Sequence, residues 1–119
     1  MIIEKEFTFD SAHFLPNLTP GHKCIRLHGH TYRVFISVEG PLTELEQWVM
    51  DFGDLKRAAK PLIDSLDHQL LNAIPGLENP TAEVIAKYIY DNLLHKIPLL
   101  HSVRVDETPT SRAIYSGDS

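Results

Sequence analysis

The chain has 119 residues, 43% of them hydrophobic and 23% charged, which is the make-up of one globular domain with a single core. A formal charge of −5 and scattered lysines and arginines exclude the clustered basic surface that nucleic-acid binding needs. No apolar run is long enough to span a membrane, and Met1-Ile2-Ile3-Glu4 does not read as a signal peptide; Cys24, the single cysteine, excludes an internal disulfide and points to a reducing cytoplasm.

Residues 2–13 predict a strand, with Ile3, Phe7 and Phe9 on one face and Glu4, Glu6, Thr8 and Asp10 on the other. His13 continues the apolar row. Residues 14–27 carry Pro16, Asn17, Pro20 and Gly21 and predict a loop longer than most hairpin connections, a class that tends to be functional. A second strand runs from about His28 to Glu39. Tyr32, Val34, Ile36 and Val38 form its apolar row, and His28 and His30 share their parity.

If these strands pair as an antiparallel hairpin without a bulge, the end of the first lies beside the start of the second. His13 then faces His28 and His30 on the buried side of the sheet. Three imidazoles gathered in this way form a zinc site of the catalytic kind, with three protein ligands and one open position. The rival is a trio of hydrogen-bonded core histidines, each of which would need its own buried partner. Cys24, four residues before His28, is close enough to share the cavity.

Beyond Gly40-Pro41 a polar connection leads to Asp51 and Asp54, either of which can cap the helix that follows. Leu55, Ala58, Ala59, Leu62, Ile63 and Leu66 fall at helical spacing and make one apolar stripe. Pro61 is expected to kink or split that helix. A second helix starts near Thr81, with Ala82, Ile85, Ile89 and Leu93 inward.

Residues 101–107 predict a third strand, with Val103 and Val105 inward and Ser102, Arg104 and Asp106 outward. Glu107 lies on the inward parity. Arg112 to Tyr115 is a short fourth strand. The order ββααββ over residues 1–119 predicts an α+β domain, a four-stranded antiparallel sheet with two helices on one face. Strands one and four are expected to be short and sheet-terminal, leaving edges that assembly into an oligomer would cover.

The chemistry of the motifs follows. Zinc on three histidines can polarise a substrate hydroxyl or carbonyl and acidify the adjoining C–H bonds. Cys24 is then either the base, its thiol ionising readily near zinc and histidine, or a fourth ligand that closes the site. Asp67-His68 offers an imidazole beside a carboxylate, or else a helix-terminal acid and a surface histidine. Glu107 is either a paired buried acid or an anchor for a ligand rich in N–H donors. Lys23 and Arg26, which flank Cys24, could meet phosphate or could simply be surface charge.

His13, Cys24-x-x-x-His28-Gly-His30, Asp51-Phe52, Leu66-Asp67-His68, Glu78-Asn79-Pro80-Thr81-Ala82-Glu83 and Glu107-Thr108 together resemble the 6-pyruvoyltetrahydropterin synthase family, in order and along essentially the whole chain. The resemblance implies the tunnelling fold, in which sheets of several subunits join into a barrel, and a homohexamer built as a dimer of trimers. It implies zinc on His13, His28 and His30, proton transfer by Cys24, Asp67 and His68, and a pterin ring anchored by Glu107. The three-residue gap between Cys24 and His28 is similar to that of the bacterial 6-carboxy-5,6,7,8-tetrahydropterin synthases of queuosine biosynthesis. The implied substrate is 7,8-dihydroneopterin triphosphate, and the implied products are 6-carboxytetrahydropterin, acetaldehyde and triphosphate. A pyruvoyl-forming synthase, a structural zinc module and a non-catalytic pterin-binding module are the alternatives.

Overall fold

β1 (Ile2–His13) and β2 (His28–Glu39) run antiparallel in unbroken register, from Ile2 opposite Glu39 to His13 opposite His28. The bulge-free hairpin inferred from the sequence is therefore present. β3 (Leu100–Thr108) pairs with β2, and β4 (Ser111–Tyr115) with β3, giving the sheet order β1-β2-β3-β4. These features come from a computed structural model, which describes residues 1–117.

The helices α1 (Phe52–Leu66) and α2 (Ala82–Leu93) cover one face of the sheet; α1 packs on β1, and α2 on β3 and β4. Leu55, Ala59, Ile63 and Leu66 of α1 and Ile85, Ala86, Ile89 and Leu93 of α2 join Phe9, Tyr32, Val34, Ile36, Val103 and Val105 in one buried cluster. Each large aliphatic side chain fully buried there contributes about 1.5–3 kcal/mol. Asp51, rather than Asp54, caps α1, accepting the Gly53 N–H at 2.8 Å. Thr81 caps α2 by accepting the Val84 N–H at 3.1 Å.

Two expectations need correction. α1 runs unbroken through Pro61 and is not split there. The ring lies on the exposed side, and the carbonyl left without its N–H belongs to exposed Arg57, within reach of water. β1 is sheet-terminal but not short, at 12 residues. Its far end is covered by the segment after α1. The His68 N–H donates to the Asp10 carbonyl at 2.6 Å, and the Ala12 N–H to the Gln69 carbonyl at 3.0 Å. The rest of that edge has no strand beside it among the described residues.

The face away from the helices carries its own polar layer. Asp106 points outward, as its parity predicts, yet is only 2% exposed. Arg104 folds over it with two hydrogen bonds, at 2.7 and 2.9 Å, and Arg112 stands 3.9 Å away. Phe35 is buried on the same face beneath the guanidinium groups of Arg104 and Arg33.

Candidate metal centre

Strand parity delivers the three histidines to one place. His13 ends the inner row of β1, while His28 and His30 begin that of β2, and a ring nitrogen from each lies within 4.8 Å of the other two. The rings sit nearly edge to face, with centroids 4.5, 5.0 and 5.0 Å apart.

The tautomers of His13 and His28 are fixed by carbonyls, which can only accept. His13 Nδ1–H donates to the Pro80 carbonyl at 2.8 Å, and His28 Nδ1–H to the Arg26 carbonyl at 2.7 Å. Both Nε2 atoms of the neutral rings therefore carry lone pairs, and these two atoms stand 3.0 Å apart. His30 Nε2 is buried and has no hydrogen-bond partner. Burial holds the pKa of His13 and of His30 below the usual histidine value, opposed for His13 by the Pro80 hydrogen bond and for His30 by the charge of Glu107. Two neutral imidazoles turning unshared pairs towards each other, beside a third ring nitrogen without a partner, is an unfavourable arrangement until a cation sits among them. The donor set suits zinc, which takes imidazole nitrogen and whose catalytic sites use three protein ligands.

Sequence reasoning missed what stands behind His13. Tyr32 is fully buried with its hydroxyl 3.1 Å from His13 Nδ1, and burial, then the charge of Glu107, pushes its pKa upward. Tyr32 follows His28 and His30 on the same strand row, a signal that could have found it; nothing in the sequence pairs His13 with Pro80. Such outer partners fix the ring orientation of a metal-binding histidine. The chain beyond His13 is clamped by Asn72, whose side chain accepts the Phe14 N–H at 3.0 Å and donates to the Phe14 carbonyl at 2.8 Å.

Cys24 sits in a single 3-10 turn, Lys23–Ile25, inside the long loop. Its carbonyl accepts the Leu15 N–H at 2.9 Å, which folds the loop back against the end of β1. Cys24 is half-buried and borders a cavity of about 450 Å³ together with Leu15, Lys23, His28, His30, Glu107 and Thr108. It is not a member of the histidine cluster. Lys23 reaches this cavity; Arg26 does not border it.

Glu107 points at the histidines, as its inward parity implies. Its Oε1 is 3.4 Å from His13 Nε2 and 3.5 Å from His30 Nε2, with the side chain 26% exposed. Asp67 and His68 do form a pair, His68 Nδ1 lying 2.8 Å from Asp67 Oδ2, but they stand on the edge of β1 and do not border the Cys24 cavity. His68 is 79% exposed.

Comparison with known proteins decides the family. The profile of 6-pyruvoyl tetrahydropterin synthase matches residues 2–118. The chain belongs to that family. It is 46% identical to the 6-carboxy-5,6,7,8-tetrahydropterin synthase of Synechocystis sp. over 96% of this chain and 92% of that protein. It is 36% identical to the Bacillus subtilis protein of the same name, over 95% and 83% of the two chains. The structure of Caenorhabditis elegans 6-pyruvoyl tetrahydropterin synthase superposes with a TM-score of 0.91 at 25% identity, over 99% of this chain and 96% of that one. The α+β architecture of the family is thus present here. Among the described residues no helix is long and apolar enough to cross a membrane.

Proposed function

We propose that the protein is a zinc-dependent 6-carboxy-5,6,7,8-tetrahydropterin synthase of queuosine biosynthesis. It converts 7,8-dihydroneopterin triphosphate and one water to 6-carboxytetrahydropterin, acetaldehyde and triphosphate, the water supplying the second carboxyl oxygen. The observation that carries this reading is the pair of facing Nε2 lone pairs on His13 and His28, with the orphaned Nε2 of His30 beside them. Support for the carboxy branch comes from the spacing of Cys24 and His28 and from the names of the relatives at 46% and 36% identity.

Zinc held by His13, His28 and His30 would polarise the substrate's side-chain oxygens and acidify the C–H bonds next to them. Cys24, in the same cavity but outside the histidine cluster, takes a carbon-bound proton as thiolate. Glu107 meets the guanidine-like edge of the pterin with two parallel hydrogen bonds. Lys23 offers a positive charge to the triphosphate. His68, oriented by Asp67, carries protons to oxygen or carbon as triphosphate leaves and the C–C bond breaks. The pterin ring is reduced at the expense of its own side chain, so electrons balance without an external redox cofactor.

Asp67 and His68 lie outside the cavity of their own chain, which supports a working unit larger than one subunit. We assign that unit as a homohexamer, a dimer of trimers whose joined sheet edges let one subunit's Asp67–His68 pair complete another's cavity. A free thiol base suits a reducing cytoplasm.

The test is incubation of the zinc-loaded protein with 7,8-dihydroneopterin triphosphate, with products resolved by mass and acetaldehyde trapped. Equimolar 6-carboxytetrahydropterin and acetaldehyde bear the reading out. 6-Pyruvoyltetrahydropterin without acetaldehyde moves the protein to the pyruvoyl-forming branch. Full zinc with no turnover of either kind leaves a structural or pterin-binding module.

A further inference from the structure

Glu107 occupies a position that ring anchoring alone does not explain. The Nδ1–H of His13 is committed to the Pro80 carbonyl, so His13 Nε2 has no proton to give. Glu107 Oε1 nevertheless stands 3.4 Å from that nitrogen and 3.5 Å from the partnerless Nε2 of His30. A carboxylate oxygen facing the lone pair of His13 Nε2 at this range is repelled unless a cation lies between them. The spacing is informative too. Four ligands at about 2.0–2.1 Å around a tetrahedral zinc are roughly 3.3–3.4 Å from each other. Glu107 keeps that separation from two of the three nitrogens, and only from His28 is it farther than 4.0 Å.

The same carboxylate also faces open space. Glu107 borders the cavity of Cys24, His28 and His30, and a second cavity lined by Ser111, Arg112 and Ala113. Among the described residues it receives no hydrogen bond from any cationic side chain, in contrast to its neighbour Asp106, which Arg104 holds in place. It is thus a carboxylate placed between the histidine cluster and a ligand entering the cavity.

We propose that Glu107 is an exchangeable fourth ligand of the metal, bound in the resting enzyme and withdrawn by the substrate. The inference rests on the zinc-enzyme reading above. The pterin's exocyclic amine and ring N–H together offer the carboxylate two charge-assisted hydrogen bonds, while the substrate's side-chain oxygens replace the metal bond that the carboxylate gives up. Drawing Glu107 onto the ring vacates the fourth position at the moment the substrate's side-chain oxygens arrive. Ring recognition and opening of the metal site become one event. A ligand without the guanidine-like edge leaves the site closed.

The experiment uses cobalt(II) in place of zinc, whose visible bands report the ligand set, on the wild type and on Glu107→Gln and Glu107→Asp. Expected is a resting spectrum that differs between wild type and Glu107→Gln, and zinc binding weaker by at least about tenfold in the Gln variant, measured by chelator competition. Adding pterin without its triphosphate side chain should change the wild-type spectrum towards that of Glu107→Gln and leave the variant's almost unmoved. Glu107→Asp, which keeps the charge but shortens the reach, should fall between them in zinc affinity. Identical resting spectra and equal zinc affinities in wild type and Glu107→Gln overturn the inference while the three-histidine centre stands. A wild type that binds neither cobalt nor zinc overturns the reading beneath it and the inference with it.

Discussion

Asp106, on the outer face of the sheet, is buried to the same degree as the core, and its carboxylate is met by two nitrogens of Arg104 with Arg112 close by. His13, on the inner face, is equally buried, but its inward nitrogen meets only the lone pair of His28 and a carboxylate oxygen of Glu107. The first cluster satisfies itself within the chain, and the Arg104 bond pulls the Asp106 pKa below the usual carboxylate value. The second is short of one positive charge. Burial of polar groups therefore does not by itself mark a site. What separates the two is whether the folded chain supplies every partner, because a buried polar group without one costs about 1–3 kcal/mol.

The sharpest way to exploit the comparison is to remove chemistry without touching either cluster. Cys24 borders the cavity but is no member of the histidine set, so Cys24→Ala should retain full zinc and its melting temperature. Its kcat should fall by roughly 10²–10⁴-fold, the range for loss of a positioned base. Zinc lost in step with activity would instead make Cys24 a ligand.

Breaking the unsatisfied cluster comes next. His28→Ala removes one lone pair and should weaken zinc binding at least about a hundredfold, close to 2.7 kcal/mol. The metal-free variant should fold at least as well as the metal-free wild type, because the opposed pair is relieved. Undiminished zinc stoichiometry at micromolar metal would contradict the site. For the satisfied cluster the sign reverses. Asp106→Asn removes the charge facing Arg104 and should cost about 1.5–3 kcal/mol in denaturant unfolding, with zinc stoichiometry unchanged.

These contrasts also explain what the sequence could and could not reveal. Period-two alternation placed His13, His28 and His30 on one face, and an unbroken hairpin register was enough to bring them together. Parity likewise sent Asp106 outward. It says nothing about what lies over a face, and the folding of Arg104 back across Asp106 is a side-chain choice that no periodicity encodes. Pro61 does not split α1 for a similar reason, since its ring and the Arg57 carbonyl it leaves without an N–H lie on the exposed side, open to water. The Pro80 carbonyl behind His13 is 67 positions away along the chain. The contact between Asp67 and His68 depends on the left-handed backbone of His68, with φ at 55°, where the chain turns out of α1.

That pair sets the smallest and most specific expectation, because it sends a histidine pKa in the opposite direction to the buried cluster. The hydrogen bond that His68 donates to Asp67, and then the Asp67 charge, raise His68 above 6.5, while the Asp10 N–H and then His68 lower Asp67 below 3.8. Below pH 6.5 His68 is protonated in folded and unfolded chains alike, so its share of stability is fully present there and is lost as pH rises through the raised folded value. Asp67 contributes above pH 3.8 and loses its share as pH falls through its lowered folded value. The pair therefore operates between those limits, a window in which an imidazolium faces a carboxylate. Proton NMR titration of the His68 ring should give a midpoint above 6.5 in the wild type and a lower one in Asp67→Asn. The variant should leave the zinc content unchanged and shift the basic limb of the kcat profile downward with the midpoint. An unmoved His68 midpoint would mean that Asp67 serves only the Asp10 N–H, which it accepts at 2.8 Å, and His68 would then be surface charge like the rest of the exposed edge.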